Sequence, residues 1–204
     1  MTAVCVVDYG AGNLRSLRTG LERAGAEVTV TDDAARVAAA GRVLLPGVGA
    51  AGTAMAALER RGLAGAIRDA TAAGAYVFGI CLGLQLLFEA SDEDGVPCLG
   101  LLPGRAVAMS FAERVPHMGW NDVEPQADHP LARALPAVCY FAHSYAVEPA
   151  AAESVLGTTE LGGRPFASVA GAGRVAGTQF HPEKSGPAGR ELLRAFLQWS
   201  DRAA

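Results

Sequence analysis

Gly79-Ile80-Cys81-Leu82-Gly83-Leu84-Gln85 decides the fold of this chain, because it joins two apolar segments of different pattern. It follows the apolar residues 75–78 and leads into residues 84–88, which predicts a strand, a sharp turn and a helix with a cysteine at the apex. A Gly-x-nucleophile-x-Gly sequence in this setting is typical of a nucleophile elbow, whose glycines let helix and strand approach closely. We therefore expect the Cys81 thiol at the carboxyl end of a strand, above a helix N-terminus.

A cysteine in that position can act as a nucleophile or simply pack. The helix dipole stabilises a thiolate, and the first backbone N–H of the helix, that of Leu82, can donate to a developing oxyanion. Free cysteines are also often buried for packing alone. The nucleophilic interpretation is favoured by His181-Pro182-Glu183, which follows the apolar residues 175–180 and supplies a base with a carboxylate two residues later.

We predict Cys81, His181 and Glu183 as the catalytic residues. Taken alone, the histidine could be an ordinary residue at a strand end and the glutamate a solvated loop charge. Together with an elbow cysteine they have the composition of a nucleophile, base and acid triad, in which the acid holds the imidazole in the required tautomer.

Composition excludes several classes of protein. With 204 residues the chain suits one α/β domain, which we place at residues 1–204. No apolar run reaches membrane-spanning length and the N-terminus lacks a signal-peptide pattern, so we expect a cytoplasmic protein. The four cysteines form no C-x-x-C pair, and neither a metal site, a disulfide nor a cofactor is expected. A net charge of −4 without basic clusters predicts no nucleic-acid partner.

The first half of the chain alternates strand and helix patterns. Strands are predicted at residues 3–7, 28–31 and 42–46, and helices follow Asn13 and cover residues 53–60 and 63–72. This alternation indicates right-handed crossovers and a largely parallel sheet, with its site at the carboxyl ends of the strands. The loop around Gly10 and Gly12 could suggest a dinucleotide site, but it lacks the third glycine at the required spacing.

The second half has a different character. Residues 91–104 are polar and rich in turn residues, and short strand-like runs follow, separated by proline and glycine. Gly171-Ala172-Gly173 is predicted as a hairpin turn, and the last helix follows Gly186. His129, before a proline in a polar segment, is expected at the surface. The fold class is therefore α/β: a central, largely parallel sheet flanked by helices, with antiparallel strands in the second half.

Pro46-Gly47-Val48-Gly49 lies at the end of the third predicted strand. Two glycines around one valine indicate a backbone that approaches a ligand or changes conformation. An elbow nucleophile needs a second oxyanion donor from a neighbouring strand end, in addition to the Leu82 N–H. We predict that this donor is the N–H of Val48, and that its peptide unit rotates between an idle and a donating orientation.

These residues resemble a known family, the class I (triad) glutamine amidotransferases. The elbow and the later Gln179-Phe-His181-Pro-Glu183-Lys-Ser185 are its signature motifs. Within that family the chain looks like the glutaminase subunits that pair with a (β/α)8-barrel cyclase in histidine biosynthesis. Further matching stretches run nearly end to end: Val7-Asp-Tyr-Gly-Ala-Gly-Asn-Leu14, Leu45-Pro-Gly-Val-Gly49, Val115-Pro-His-Met-Gly-Trp-Asn121 and Tyr140-Phe-Ala-His-Ser-Tyr145.

The resemblance implies the remaining site residues. Gly49 and Gln85 would line a glutamine pocket, and backbone of Ser144 and Tyr145 would hold the α-amino and carboxylate groups of the substrate. The heterodimer interface with the cyclase would include Asn13, Trp120, Asn121 and Lys184, which could otherwise be ordinary loop polar residues and one core tryptophan. His143 is expected to shape the pocket wall.

Two small departures from the family pattern concern the pocket: Ala51 stands where an aromatic residue is common, and Leu84 where methionine is common.

The sequence leaves three other functions to weigh against this one. A stand-alone cysteine peptidase or γ-glutamyl hydrolase would need no partner, which the stretch around Trp120 argues against. The glutaminase subunit of pyridoxal phosphate synthesis carries a Gly-Gly-Glu-Ser-type loop that this chain lacks. A non-catalytic binding subunit is disfavoured by the three triad residues.

Overall fold

The computed structural model describes residues 1–10, 12–112 and 114–200; Ala11, in the predicted loop after the first strand, lies outside them. The helices are α1 (Leu14–Ala24), α2 (Ala34–Ala38), α3 (Ala51–Arg60), α4 (Leu63–Ala72), α5 (Leu82–Leu87), α6 (Pro130–Arg133) and α7 (Gly186–Gln198). The strands are β1 (Thr2–Val7), β2 (Ala26–Thr31), β3 (Arg42–Leu45), β4 (Tyr76–Ile80), β5 (Phe88–Ser91), β6 (Val96–Pro97), β7 (Leu102–Ala108), β8 (His117–Asp122), β9 (Glu124–Pro125), β10 (Val138–His143), β11 (Tyr145–Pro149), β12 (Val155–Leu161), β13 (Arg164–Ala172) and β14 (Val175–Thr178).

One large sheet organises the molecule, with the order β2-β1-β3-β4-β14-β13-β11-β7-β5-β6 and with β12 and β9 continuing from β13. The strands from β2 to β14 pair in parallel. From β14 to β13, β11 and β7 the pairs are antiparallel. The predicted division into a parallel first half and a more antiparallel second half is confirmed.

The centre of the parallel half determines where a site can form. The adjacent strands β3, β4 and β14 point the same way, so their carboxyl ends meet at one edge of the sheet. The chain leaves β3 into the Pro46–Gly49 loop, which we call the PGVG loop. It leaves β4 into Cys81 and β14 into Gln179 and His181. Three separate segments of sequence are thus brought to one place.

Helices cover both faces of this sheet. Leu21 of α1 and Phe196 of α7 belong to one buried cluster, where Phe196 stacks on Phe78 of β4 with ring centroids 5.0 Å apart. Leu58 of α3 and Ile67 of α4 belong to the cluster on the opposite face. Apolar residues on both faces of β4 are buried, as expected for a strand covered by helices on each side. No helix within the described ranges is long and apolar enough to cross a membrane.

A second, two-stranded sheet is formed by β8 and β10, which pair antiparallel along their whole length. We call it the β8–β10 ribbon. At its inner end it pairs His117 with His143, and it also carries Trp120 opposite Tyr140. Its last residue, His143, precedes Ser144 and β11, so the ribbon leads directly into the segment beside Cys81.

Several predicted boundaries are wrong. The helix after the elbow ends at Leu87, and Phe88 begins β5 rather than ending that helix. The hairpin turn lies at residues 173–174, because β13 continues through Ala172 and Gly173 has the positive φ of 57°. The segment that forms β11 does not alternate apolar with polar residues and is not bounded by turn residues on both sides, so no strand was predicted there. In each case pairing with a neighbouring strand overrides the local pattern.

Candidate active site

Cys81 occupies the turn between β4 and α5 with φ 55° and ψ −113°. A non-glycine residue rarely adopts such a backbone, and the strain persists only where the surroundings enforce it. A Cβ at Gly83 would lie 1.9 Å from the carbonyl oxygen of Leu45, and one at Gly79 would lie 2.6 Å from the backbone of Gly83. The two glycines therefore permit the contact of α5 with β3 and β4 that forms the predicted elbow.

His181 and Glu183 are fixed by the turn after β14. The His181 N–H donates to the carbonyl of Tyr140 at 2.9 Å, and the residues Pro182–Lys184 form a short 3-10 turn. That turn folds Glu183 back, so that its Oε1 lies 2.9 Å from Nδ1 of His181. Both side chains are nearly fully buried, at 5% and 6% exposure. Because the carboxylate accepts from Nδ1, the other ring nitrogen, Nε2, remains for the cysteine.

The charge on His181 results from opposing effects. Burial lowers its pKa, but hydrogen bonds with Cys81 and Glu183 and the negative charges of these residues outweigh burial and raise the pKa to about 9. The imidazolium is therefore favoured near neutral pH. Among the described side chains, Oε2 of Glu183 is a buried oxygen with no hydrogen-bond partner.

A cavity of about 350 Å³ opens over Cys81. Its wall brings together most of the predicted site residues from both halves of the chain. It is lined by Val48, Gly49, Cys81, Leu82, Gln85, Glu93, Pro116, Met118, Ala142, His143, Ser144, Tyr145, His181 and Lys184. The Cys81 thiol also contacts the Ala142 carbonyl and the Gln179 amide, each at 3.8 Å.

The two predicted oxyanion donors have different positions. Leu82 is the first residue of α5, so its N–H lacks a partner within the helix. Val48 lines the cavity, and its backbone lies close enough to the buried hydroxyl of Tyr9 to counteract the rise in the Tyr9 pKa that burial and Cys81 cause. The same hydroxyl donates to the carbonyl of Pro46 at 3.0 Å. Tyr9 thus contacts the PGVG loop at two points, a role that sequence reasoning missed.

The predicted substrate residues all reach the cavity. The amide nitrogen of Gln85 donates to the carbonyl of Tyr145 at 2.9 Å and to Oε1 of Gln179 at 3.1 Å. Both amide protons are then used, and Oε1 of Gln85 is the acceptor left for a ligand. The Ser144 carbonyl accepts from the Met109 N–H at 3.0 Å. Gly49 has the left-handed φ of 93°, which a side chain would strain.

Two of the predicted interface residues, Trp120 and Lys184, are exposed, whereas the other two, Asn13 and Asn121, make hydrogen bonds within the chain. Trp120 is 59% exposed and contacts Tyr140, whose ring also lies 5.6 Å from Nζ of Lys184. Asn13 caps α1 by accepting from the Ser16 N–H at 3.3 Å. With Lys184, Asn13 lines a small cavity of about 20 Å³ behind Val48 and Glu183. Asn121 is only half-buried, and its amide is bonded within the chain.

Two further residues were not foreseen correctly. Glu93 lines the cavity while its carboxylate accepts from the Ala51 N–H at 2.8 Å, and only the fold brings it there from the turn-rich segment. His129 is not a simple surface residue. It is half-buried, its Nδ1 accepts from the Leu131 N–H at 3.2 Å at the start of α6, and its ring packs on Trp199.

Cys81 differs from the other cysteines of the chain. All four are free and buried, but Cys81 alone lines the cavity described above. Burial raises the pKa of Cys5, raises that of Cys98 to about 11, and raises that of Cys139 to about 12. These three thiols stay protonated at neutral pH and serve as packing groups.

Comparison with known proteins places this geometry in a family. The sequence matches the family model "Glutamine amidotransferase class-I" over residues 5–199. Two similar curated proteins are both named "Imidazole glycerol phosphate synthase subunit HisH". The one from Symbiobacterium thermophilum is 50% identical over 202 residues, covering 98% of this chain and 93% of the relative. The one from Moorella thermoacetica is 47% identical over 199 residues, covering 96% and 94%.

Solved structures share the fold. A structure described as "Crystal structure of glutamine amidotransferase" has a TM-score of 0.77 at 22% identity, covering 96% of this chain and 97% of that chain. "Structure of PurLQS from Thermotoga maritima" has a TM-score of 0.73 at 23% identity, covering 97% and 99%. At sequence identities this low, the likeness to these two structures shows a shared fold and nothing about function. Because the family model and the curated relatives match nearly the whole chain, this protein belongs to the class I glutamine amidotransferases.

Proposed function

We propose that this chain is the glutaminase subunit of an imidazole glycerol phosphate synthase and acts in L-histidine biosynthesis. The observation that carries the proposal is the strained Cys81 beside a histidine whose Nδ1 is held by Glu183 at 2.9 Å, in a chain with end-to-end relatives that bear this subunit's name. Such a subunit hydrolyses glutamine to glutamate and ammonia and passes the ammonia to a partner.

The geometry supports a covalent route with Cys81, His181 and Glu183 as the catalytic residues. The Cys81 thiolate attacks the side-chain amide carbon of glutamine, and an oxyanion forms. His181 donates a proton to the nitrogen as the C–N bond breaks, so ammonia leaves and a γ-glutamyl thioester remains. Water then attacks the thioester while His181 accepts its proton, and the C–S bond breaks to release glutamate. Glu183 keeps the imidazole oriented throughout.

The cavity offers groups suited to the two ends of glutamine. Oε1 of Gln85 is free to accept from a substrate N–H, for the reason given above. The carbonyl of Tyr145 already accepts from Gln85 and from Nδ1 of His143, so both of its lone pairs are in use. The carboxylate of Glu93 is therefore the better acceptor for the ammonium group of a ligand, because it has the opposite charge. Gly49 and Ser144 form further parts of the cavity wall.

The partner that we propose is a (β/α)8-barrel cyclase subunit, in a heterodimer. It would use the ammonia to convert N'-(5'-phosphoribulosyl)formimino-AICAR into imidazole glycerol phosphate and AICAR. Exposed apolar side chains beside the cavity support a docking surface there: Met118 is 66% exposed and Trp120 59%. Lys184 adds a cation next to them, and Asn13 lies across the small cavity behind Val48. Covering the cavity mouth would keep ammonia from bulk water.

Two broader features belong to the same proposal. The chain would form one glutamine amidotransferase domain, since the family match runs through both halves of the sheet. The complex would work in the cytoplasm, where phosphorylated intermediates are retained.

The decisive experiment uses Cys81→Ala with the matched control Cys98→Ala. In complex with the cyclase, Cys81→Ala should abolish glutamine hydrolysis and yet support synthesis from added ammonium salt, because the cyclase chemistry lies in the other chain. Cys98→Ala removes a buried thiol outside the cavity and should keep both activities. Glutamine hydrolysis by folded Cys81→Ala would disprove the proposed nucleophile. Full activity without any partner would favour a stand-alone hydrolase.

A further inference from the structure

Two buried histidines that the triad does not use lie in direct contact. His117 and His143 are 7% and 6% exposed, and Nδ1 of His117 lies 3.0 Å from Nε2 of His143. Both rings also pack on Phe141. Packing alone would not need two imidazoles, because a pair of apolar rings would fill the same space without the cost of burying polar nitrogens.

The proton positions in this pair follow from its neighbours. The carbonyl of Tyr145 can only accept, so Nδ1 of His143, at 2.9 Å, carries a proton. Burial lowers the pKa of His143 to about 3 and also lowers that of His117, so both rings are neutral. Nε2 of His143 is then an acceptor, and Nδ1 of His117 must donate to it. Nε2 of His117 accepts in turn from the Asn121 amide, at 3.3 Å.

Asn121 itself is fixed in orientation on the β8–β10 ribbon. Its Oδ1 accepts from the Asp122 N–H at 2.8 Å, and its Nδ2 donates to the carbonyl of Glu160 at 2.9 Å as well as to His117. The outer end of this chain of hydrogen bonds is therefore anchored beside the exposed Trp120. From Asn121 through His117 to His143, each residue donates to the next acceptor on the way to the Tyr145 carbonyl.

The inner end reaches the nucleophile. The carbonyl of Tyr145 accepts from Gln85 as well as from His143. Gln85 donates its second proton to Gln179, and the Gln179 amide lies 3.8 Å from the Cys81 sulfur. We call the whole series, from Asn121 through His117 and His143 to Cys81, the Asn121–Cys81 chain. Each link has one possible donor and one possible acceptor.

We propose that His117 and His143 are positioning residues, a neutral pair locked in one tautomer that conveys the placement of Asn121 on the β8–β10 ribbon to Cys81. A partner docked on the ribbon moves or fixes Asn121, and the series of hydrogen bonds transmits that change to Gln85 and the thiol. The inference rests on the proposed function, because it concerns the stimulation of the same site. The proposed route to Cys81 passes through none of the residues of the PGVG loop.

The tautomers give a test that is independent of activity. Long-range ¹H–¹⁵N spectra of the full chain with ¹⁵N-labelled histidine show which ring nitrogen carries each proton. His117 and His143 should both be protonated at Nδ1 only, whereas free histidine favours the Nε2–H form. Assignment comes from the loss of one signal set in each of His117→Phe and His143→Phe. Protonation at Nε2 of either residue, or averaged signals, would overturn the proposal.

Kinetics test the transmission. His117→Phe keeps a ring against Phe141 but removes both nitrogens. In the complex with the cyclase and its ligand, it should lower the stimulation of glutamine turnover about tenfold or more, because the hydrogen bonds to His143 and from Asn121 are both lost, without weakening cyclase binding. The control is His129→Phe, which removes the same nitrogens from a half-buried ring outside the cavity and should leave stimulation unchanged. Wild-type stimulation in folded His117→Phe would refute the proposal.

A double-mutant cycle separates a connected chain from two independent effects. If Asn121 acts through His117, then Asn121→Ala combined with His117→Phe should lose little more stimulation than the worse single variant. If the loss of stimulation in the double variant equals the product of the losses in the two single variants, the two residues act separately and the inference is wrong. The proposed function fails on different grounds, namely if Cys81→Ala still hydrolyses glutamine, and the tautomer measurement stands in either case.

Discussion

At the scale of single residues, the proposed triad depends on a balance between burial and charge at His181. Burial alone would neutralise His181, which would leave a base without a stored proton for the departing ammonia. Hydrogen bonds and charge from Cys81 and Glu183 reverse that tendency and raise the pKa of His181 to about 9. The two partners lie on opposite sides of the ring, so each contribution can be removed separately.

Replacing Glu183 by Gln should lower the His181 pKa while keeping a group of the same shape beside Nδ1. The imidazole titration followed by NMR should have its midpoint near 9 in the wild type and clearly lower in Glu183→Gln. Arg36→Gln, on α2, provides a control that changes the charge of the chain elsewhere. An unchanged midpoint in Glu183→Gln would show that the glutamate does not stabilise the imidazolium.

The same pKa shift predicts how stability depends on pH. The folded-state pKa of His181 lies above the ordinary histidine value of 6.5, so its stabilising contribution is fully present below 6.5 and is lost as the pH rises through about 9. The free energy of unfolding should therefore fall over this interval more steeply in the wild type than in Glu183→Gln. Urea unfolding at several pH values measures both curves, and parallel curves would contradict the assignment.

Sequence alone could predict that Cys81, His181 and Glu183 come together, because they lie in two short motifs. A cysteine between glycines and a histidine two residues before a glutamate are local patterns with chemical meaning. Tyr9, Glu93 and the histidine pair could not be predicted in this way, because their roles come from contacts between residues far apart in the chain. Tyr9 meets Pro46 across 37 positions, and only the pairing of β1 with β3 brings them together.

At the scale of elements, the contact of α5 with the strands beneath it sets the stability of the elbow. Gly83→Ala would place a Cβ 1.9 Å from a fixed backbone oxygen, so we expect a loss of about 1–3 kcal/mol or more in the free energy of unfolding. The control Gly65→Ala, on an exposed face of α4 with free space around it, should gain about 0.5–1 kcal/mol. Chemical denaturation measures both, and equal effects would contradict the close packing.

The PGVG loop is the element that we expect to change conformation. Val48→Pro removes the backbone N–H, and Val48→Ala retains it as the matched control. The proline variant should lose the partner-stimulated turnover by about 10²–10³-fold, as for other lost oxyanion donors, while the alanine variant keeps most of it. If folded, cyclase-bound Val48→Pro stays within about tenfold of the wild type, the second donor lies elsewhere.

Tyr9→Phe tests the idle orientation of the same loop. Without the hydroxyl, the Pro46 carbonyl loses its hydrogen-bond partner and the Val48 backbone loses a polar neighbour, so we expect the peptide unit to be freer to rotate toward the cavity. We expect the turnover of the chain without its partner to rise up to about tenfold, and that of the liganded complex to change less. A lower turnover without the partner would show that Tyr9 supports the active form instead.

Element boundaries were predictable only where the local pattern was strong. Helix α4 begins and ends at the predicted residues, because its apolar spacing is regular and Gly62 precedes it. Strand β11 and the true turn after β13 were not foreseen, since both are set by pairing across the sheet. The strained conformation of Cys81 is likewise a product of the three strands around it.

At the scale of the whole molecule, we expect glutamine hydrolysis to be coupled to the partner. The free chain should be nearly idle, and the cyclase with its ligand should activate it, because an uncoupled triad would waste glutamine. Steady-state turnover of glutamine with the chain alone, with the cyclase, and with the cyclase and its ligand measures this. Equal rates in all three conditions would remove the basis for coupling.

The docking surface can be tested separately from catalysis. Trp120→Ala removes an exposed aromatic anchor next to the cavity and should weaken cyclase binding by about 1–2 kcal/mol or more. Arg36→Ala, on the opposite side of the sheet, should bind as the wild type does. Calorimetric titration of each variant with the cyclase decides the matter, and equal affinities would move the interface away from the β8–β10 ribbon.

The contrast between Cys81 and the three packing cysteines makes the wild-type chain suitable for selective chemical labelling. An electrophile shaped like glutamine can enter the cavity and alkylate Cys81, while Cys5, Cys98 and Cys139 lie outside that cavity and have pKa values raised by burial, so that they stay protonated. Intact-mass spectrometry would then count a single adduct per molecule without any cysteine having been removed. The fraction labelled over time becomes a direct count of competent sites in a preparation, and a probe carried by the same reagent would report partner docking by its fluorescence.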